Sequence, residues 1–187
     1  MYKSDGDIMI ILFGPSATGK TEIAKYLGNK YNIKKVITNT TRPIRIGEID
    51  KVDYNFISKE EFLKLKDQDL FVETTLYNNN YYGCLKSQVS DYKIVVLDPT
   101  GVKNFLKLNN PKICVFYLQC DEKIRIERMK ARLDKDEDIK KRLINDQLTF
   151  AKENLPQYNY LIETENRSIE EIADEIFNKY QDYLKML

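Results

Sequence analysis

Hydrophobic and polar positions follow two periods along this chain. Three continuous apolar runs, at residues 8–13, 94–97 and 113–118, have the pattern of parallel strands covered on both faces; a strand with one wet face alternates instead. Between the runs the apolar spacing turns helical. Glu22-Ile23-Ala24-Lys25-Tyr26-Leu27 follows the first run, residues 102–108 follow the second as a crossover helix, and Asp121 caps a helix carrying Ile124, Ile126 and Met129 after the third. Leu143, Leu148 and Phe150 mark another helix, Tyr160-Leu161-Ile162 a strand, and Ser168 with Glu171 the capping box of a last helix. The alternation predicts an α/β fold.

The middle third breaks this rhythm. Val36-Ile37-Thr38-Asn39 reads as a short strand, residues 42–47 as an irregular basic loop and Tyr54-Asn55-Phe56-Ile57 as a strand. Ser58 and Glu61 have capping-box spacing and open a helix bearing Phe62, Leu63 and Leu65. Residues 70–76 are extended again, and Tyr77-Asn78-Asn79-Asn80 is turn chemistry before Tyr81-Tyr82-Gly83. A small mixed lobe is expected here. A second excursion is expected at residues 128–142, which are dense in charge and poor in large apolar side chains.

The first strand and helix are joined by Gly14-Pro15-Ser16-Ala17-Thr18-Gly19-Lys20-Thr21, a complete G-x-x-x-x-G-K-[ST]. Glycines let the backbone turn its N–H groups and the helix N-terminus toward phosphate oxygens. Lys20 adds a cation, and the Thr21 hydroxyl can ligate Mg²⁺. The ligand this loop implies is a nucleoside triphosphate.

Composition narrows the classes that remain. The 187 residues suit one unit with a sizeable core, with or without small inserted lobes. A net charge of +1, from 30 Lys and Arg against 29 Asp and Glu, carries no signature for nucleic acid or an anionic membrane surface, so affinity for phosphate must be local. Cys84, Cys114 and Cys120 have neither metal-ligand nor redox spacing and are odd in number, which favours a reducing cytoplasm over a disulfide framework. No apolar run has transmembrane length, and the polar start at residues 2–7 lacks the order of a signal peptide. Histidine is absent, which closes the Ser-His-Asp route and leaves Lys, Arg, carboxylates, hydroxyls and metal, a set suited to phosphoryl transfer.

A second anion site is readable in Thr40-Thr41-Arg42-Pro43-Ile44-Arg45-Ile46-Gly47-Glu48 and the following Asp53-Tyr54-Asn55-Phe56. Arg42, Arg45 and Tyr54 suit a phosphoryl group away from the first loop, although loop arginines on their own are usually solvated charge. Taken with the P-loop, Phe71-Val72-Glu73 and Asn80-Tyr81-Tyr82-Gly83, these segments resemble the guanylate kinases over nearly the whole chain.

The resemblance implies a doubly wound parallel-sheet P-loop kinase core at about residues 1–37, 84–127 and 143–187. It also implies a nucleotide-monophosphate lobe at about 38–83 and a short lid at about 128–142. It implies Mg-dependent phosphoryl transfer from ATP to GMP or dGMP, by a monomer or homodimer with no nucleic-acid or membrane partner. Arg42, Arg45, Tyr54 and Tyr82 would hold the GMP phosphate, and Glu73 and Thr38 the guanine. Arg128 would serve ATP, while Arg132 and Arg142 would serve the transferring phosphoryl. Asp98 stands in a Walker-B-like place, near the base and the metal-bound water.

The chain departs from the family pattern in four places. Cys84, a weak donor near the base, replaces a hydroxyl residue. The segment Leu97-Asp98-Pro99-Thr100-Gly101 is shorter than the family's L-D-x-D-x-Q-G and lacks one of its acidic residues, Asn79 replaces a hairpin glycine, and residues 164–167 differ where the family contacts adenine. Two other readings stand beside the kinase: a related P-loop kinase with another phosphorylated acceptor, and a non-catalytic phosphopeptide-binding domain, against which the Lys20-Thr21 pair argues.

Overall fold

Met9–Phe13 form strand β1, and every one of its five residues is buried. Successive side chains of a strand point to opposite faces, so β1 serves two cores at once. Ile10 and Leu12 join one hydrophobic cluster, while Met9, Ile11 and Phe13 join the other. This is the physical content of a continuous apolar run. The computed structural model describes residues 9–77, 79–88 and 93–187; the polar start, Ile8 of the first apolar run and Asn78 of the expected turn lie outside the described residues.

Helix α1 (Lys20–Tyr31) follows the phosphate loop, and the short strands β2 (Lys34–Lys35), β3 (Asn39–Thr40) and β4 (Asn55–Phe56) come next. Helix α2 (Lys59–Asp67) leads to the hairpin of β5 (Phe71–Tyr77) and β6 (Asn80–Leu85). Then come β7 (Lys93–Val96), α3 (Pro99–Leu106), β8 (Ile113–Gln119), α4 (Glu122–Ala131), α5 (Asp136–Thr149), β9 (Tyr160–Glu163) and α6 (Ile169–Lys185). Five strands form one sheet in the order β2-β7-β1-β8-β9, with every pairing parallel. In this open α/β sheet β1 is central, so the loop leaving its C-terminal end falls where the strand connections diverge, the place where such sheets bind ligands.

Helices cover both faces. On one side α1 gives Ile23, Ala24 and Leu27 and α6 gives Ile172, Ala173, Ile176 and Tyr180 to the cluster around Ile10 and Leu12. Tyr31 stacks on Phe177 at 3.7 Å between ring centres. The other face is covered by Val102 and Phe105 of α3. Each fully buried side chain of this size contributes roughly 1.5–3 kcal/mol, which makes the two clusters the main support of the sheet. No helix among the described residues is long and apolar enough to cross a membrane.

A second sheet, ordered β4-β3-β6-β5, is mixed: β3 and β4 are parallel and the other pairs antiparallel. Phe62 of α2 stacks on Phe71 and Tyr81, at 4.6 and 5.3 Å, and a Cβ at Gly83 would stand 2.8 Å from the Phe71 ring. The β5–β6 hairpin turns with Asn79 at φ 61°, a left-handed conformation that Asn tolerates. Cys84 and Val72 pack this sheet onto the α3 face of the first.

Element boundaries differ from the sequence reading in four places. The expected strand at 36–39 is instead the crossing between sheets, since Val36 N still donates to Ile94 O at 2.7 Å and pairing in the second sheet begins at Asn39. The strand expected at 54–57 is trimmed to Asn55–Phe56. Helix α3 starts at Pro99, three residues early, because Asp98 caps it by accepting from Gly101 N at 2.8 Å. The excursion at 128–142 is the end of α4, a tight turn and the first half of α5. The capping boxlike spacings hold: Ser58 accepts from Glu61 N, and Ser168 and Glu171 cap reciprocally.

Candidate active site

The phosphate loop is held closely against the sheet. A Cβ on Gly14 would lie 2.2 Å from the Leu118 carbonyl oxygen of β8, so only glycine fits. Ala17 and Gly19 take φ of 63° and 92°, which turns successive backbone N–H groups inward as an anion nest. Thr18 Oγ1 donates to Pro15 O at 3.0 Å, and Lys20 Nζ donates to the Gly14 and Pro15 carbonyls at 2.7 Å each. Burial lowers the Lys20 ammonium to about 8, against an opposing pull from Asp146. The loop thus keeps its own cation folded back on itself.

Gly14, Ser16, Lys20 and Thr21 line a cavity of about 260 Å³ together with residues of the second sheet. There Arg42, only 8% exposed, forks onto Glu48 with two 2.8 Å bonds and lies over the Tyr54 and Phe56 rings. Arg45 also lines the cavity; burial, then the neighbouring Arg42 and Arg142, hold its guanidinium below the ordinary value. Tyr54 packs edge-on to Tyr82 at 6.2 Å, and burial pushes its phenol up to about 12, so it stays a donor. Asp53 anchors this loop to the core by pairing with Lys25 of α1 at 2.9 Å and accepting from Ile49 N. Two arginines and two phenols therefore converge, as phosphate recognition requires.

Deeper in the cavity stand Thr38, Glu73 and Asp98. Glu73 accepts from Cys84 N at 3.0 Å, and burial followed by the Asp98 charge raises its carboxyl to about 8. Gly101 leaves room for it, since a Cβ there would be 3.2 Å from Glu73 Oε2. Thr75 Oγ1 donates to Asp98 Oδ1 at 3.3 Å, and burial raises Asp98 too.

Cys84 requires a correction. Its thiol is fully buried in the core cluster, 3.8 Å from Leu85 O, and is pushed up to about 12 by burial; it does not line the cavity. Its backbone N–H, not its sulfur, serves the site by supporting Glu73. Tyr82 and Cys84 stand two apart on β6, opposite Thr75 and Glu73, and so share a face; Tyr82 reaches the cavity, while Cys84 lies farther along the strand, where that face packs into the core cluster.

Arg132 and Arg142 line the cavity and share one acceptor, Asp134 Oδ2, at 3.0 and 2.7 Å. Arg128 does not line it. This arginine braces the phosphate loop from behind, donating to Ala17 O at 3.2 Å and Thr164 O at 2.7 Å.

Four contributors escaped the sequence reading: Asp134, Tyr77, Arg125 and Asp146. Arg125 and Asp146 form a 2.7 Å pair and are 6% and 2% exposed. The signal for them was helical spacing: Arg125 lies four residues before buried Met129, and Asp146 seven after buried Ile139, while Leu148, expected inside, is exposed.

No group of three or more His, Cys, Asp or Glu that could hold a metal occurs among the described residues. The oxygens of Thr21 and Asp98 on the cavity wall fit a hard cation such as Mg²⁺, which takes few protein ligands and the rest from phosphate and water.

A parallel sheet with a phosphate loop on its central strand, facing a second anion-binding cluster across one cavity, defines a P-loop kinase of the kind whose acceptor is itself phosphorylated. The family model for guanylate kinase matches residues 7–183. The guanylate kinase of Helicobacter pylori is 39% identical over 147 residues, covering 73% of this chain and 70% of that protein. That of Rickettsia prowazekii is 34% identical over 169 residues, 86% of this chain and 84% of its own. The crystal structure of guanylate kinase from Anaplasma phagocytophilum superposes with a TM-score of 0.67 at 26% identity, covering 96% of this chain and 87% of that one. The chain belongs to the guanylate kinase family.

Proposed function

We propose that the chain transfers the γ-phosphoryl group of ATP to GMP or dGMP, giving ADP and GDP or dGDP, as a cytoplasmic enzyme working as a monomer or homodimer. One observation carries this reading: Lys20 and Thr21 of a phosphate nest and the Arg42, Arg45, Tyr54 and Tyr82 cluster line the same cavity. Residues 38–83 act as the acceptor lobe and 128–142 as the lid on a core made of the remainder. The three cysteines are free, in keeping with a reducing compartment.

Phosphoryl transfer asks the protein mainly to align donor and acceptor, spread charge and exclude water. Lys20 turns from the loop carbonyls to the β- and γ-phosphates, and the loop N–H groups and Arg128-braced backbone hold the remaining oxygens. Arg42 exchanges Glu48 for the GMP phosphate, with Arg45, Tyr54 and Tyr82 completing the cradle. Glu73 accepts from guanine N1–H and N2–H, beside Thr38 and Asp98. Arg132 and Arg142 leave Asp134 to stabilise the moving phosphoryl. Thr21 and Asp98 would hold Mg²⁺, which would supply charge neutralisation on the triphosphate.

A panel of GMP, dGMP, AMP, CMP, UMP and IMP with ATP and Mg²⁺ tests the reading. GMP and dGMP should exceed AMP in kcat/KM by about 10⁴, the order that a site matched to polar groups reaches. Turnover favouring another acceptor, or ATP and GMP binding without turnover, overturns it.

A further inference from the structure

Asp146 lies at the meeting point of three parts of the molecule. Its Oδ2 accepts from the phosphate-loop Ser16 N at 2.9 Å and from Arg125 of α4 at 2.7 Å. Its Oδ1 accepts from Tyr77 Oη, at the end of β5, at 2.6 Å and from Ser16 Oγ at 3.3 Å. Ser16 Oγ and Tyr77 Oη are themselves 3.3 Å apart, and Arg125 also reaches Ser16 O at 3.4 Å. Ser16 and Tyr77 line the nucleotide cavity. Burial, with Asp146 next, holds the Tyr77 phenol well above its ordinary range, so the hydroxyl remains a donor.

Stability is a poor reason for this arrangement. Two apolar residues facing each other between α4 and α5 would avoid the desolvation of both charges, and the pair also leaves Arg125 Nε buried without a hydrogen-bond partner. What the pair adds is a connection. The phosphate loop, the strand that carries Glu73 and the two helices flanking the lid all meet at one carboxylate.

We propose that Asp146, neutralised by Arg125, is a positioning residue that registers the phosphate loop, the acceptor strand β5 and the lid with one another for phosphoryl transfer. The inference rests on the cavity being the site of that transfer. Its charge logic has two sides. With Arg125 in place the carboxylate anchors Ser16 without repelling a triphosphate. Without Arg125 a bare negative charge stands beside the nest and Lys20; without the carboxylate, a bare positive charge stands there and the registration is lost.

The two charge variants should therefore move ATP affinity in opposite directions. Arg125→Leu should weaken ATP binding, measured as Kd by direct titration, by about tenfold, as an unpaired buried charge at a binding site typically does. Asp146→Asn should tighten ATP binding while kcat falls about tenfold or more, the mark of alignment lost after binding. Tyr77→Phe keeps both charges and cuts only the tie to β5, so it should raise the KM for GMP several-fold and leave the ATP Kd within about twofold. A pair that merely supports the fold would lower melting temperature and active fraction but would not split ATP affinity by sign.

ATP Kd shifted in the same direction in both charge variants, or unchanged in both, overturns the inference. If either charge variant fails to fold, Tyr77→Phe decides, and GMP KM and kcat within twofold of the wild type overturn it. A wild type that binds ATP but does not phosphorylate GMP would instead overturn the proposed function, leaving the ATP titrations to be read on their own.

Discussion

Glu73 shows how one buried side chain sets a measurable property of the site. Its carboxyl, raised to about 8 by burial and then by Asp98, holds its proton at neutral pH before a base reaches it. Guanine presents donors at N1 and N2, so it needs the ionised, acceptor-only form. GMP binding should therefore expel a proton from Glu73, and GMP affinity should rise by up to about tenfold per pH unit below about pH 8, then level off. Calorimetric titration near pH 7 in two buffers of different ionisation enthalpy should find proton release approaching one per GMP; release near zero would mean that Glu73 is already ionised or does not meet the base. Glu73→Gln should flatten this pH dependence and collapse the preference for GMP over AMP, chiefly by loss of GMP activity. At this scale the sequence was legible where chemistry needs a residue type at fixed spacing, as at Lys20, Thr21, Arg42 and Tyr54. It was misleading at Cys84, because a position two residues from Tyr82 gives the face of β6 but not how deeply the thiol is buried along it. At Arg125 and Asp146 it offered only their helical spacing from Met129 and Ile139, because charges within a charged helix read as a solvated face until the facing helix is known.

Among elements, the turn between α4 and α5 carries a strain that sequence pattern could not report. Leu133 N donates to Lys130 O at 2.8 Å and Asp134 N to Met129 O at 3.1 Å, the two bonds of a Schellman helix end. The residue in the left-handed position is Leu133, at φ 61° and 84% exposed, where glycine is usual. A leucine there is disfavoured by roughly 1–2 kcal/mol and buries nothing in return. Leu133→Gly should therefore stabilise the protein by about 0.5–1 kcal/mol in denaturant unfolding, the remainder being offset by glycine's added freedom in the unfolded chain; a destabilised variant would show that the exposed leucine packs in solution. The turn has a purpose in the site, because it points Asp134 at both Arg132 and Arg142. Long elements with one clear period were legible: β1, β8, α1 and α6 lie where their apolar spacing places them. The short strands were not. The pattern at Val36 to Asn39 reports burial, and burial is the same whether the chain pairs in the first sheet, crosses between sheets or enters the second.

At the scale of the whole molecule, the two anion sites belong to different sheets and face each other across the cavity, tied at its edge by Asp146 and by the Lys25–Asp53 pair. The donor site is built from the end of β1 and the start of α1, and the acceptor site from the loop between β3 and β4 with β6. Their anchors are separate: Arg42 is held by Glu48, and Lys20 by the Gly14 and Pro15 carbonyls. Removing one cation should thus leave binding at the other site intact. Arg42→Ala should weaken GMP binding by about tenfold or more while the ATP Kd stays within about twofold, because a charged hydrogen-bond partner to phosphate is worth roughly 1.5–3 kcal/mol. Arg42→Lys should recover little of it, since an ammonium cannot reproduce the planar fork that grips two oxygens at once. Lys20→Ala should do the converse to turnover, lowering kcat by about 10² or more through loss of one preorganised charge at the moving phosphoryl, with GMP binding unchanged. Titration of both nucleotides into the three variants, with melting temperatures to certify folding, decides the matter. If Arg42→Ala abolishes ATP binding and spares GMP, donor and acceptor sites are assigned to the wrong sheets; if both affinities fall together in every variant, the two sheets form one indivisible site, and the separate anchoring seen at Arg42 and Lys20 does not carry over to binding.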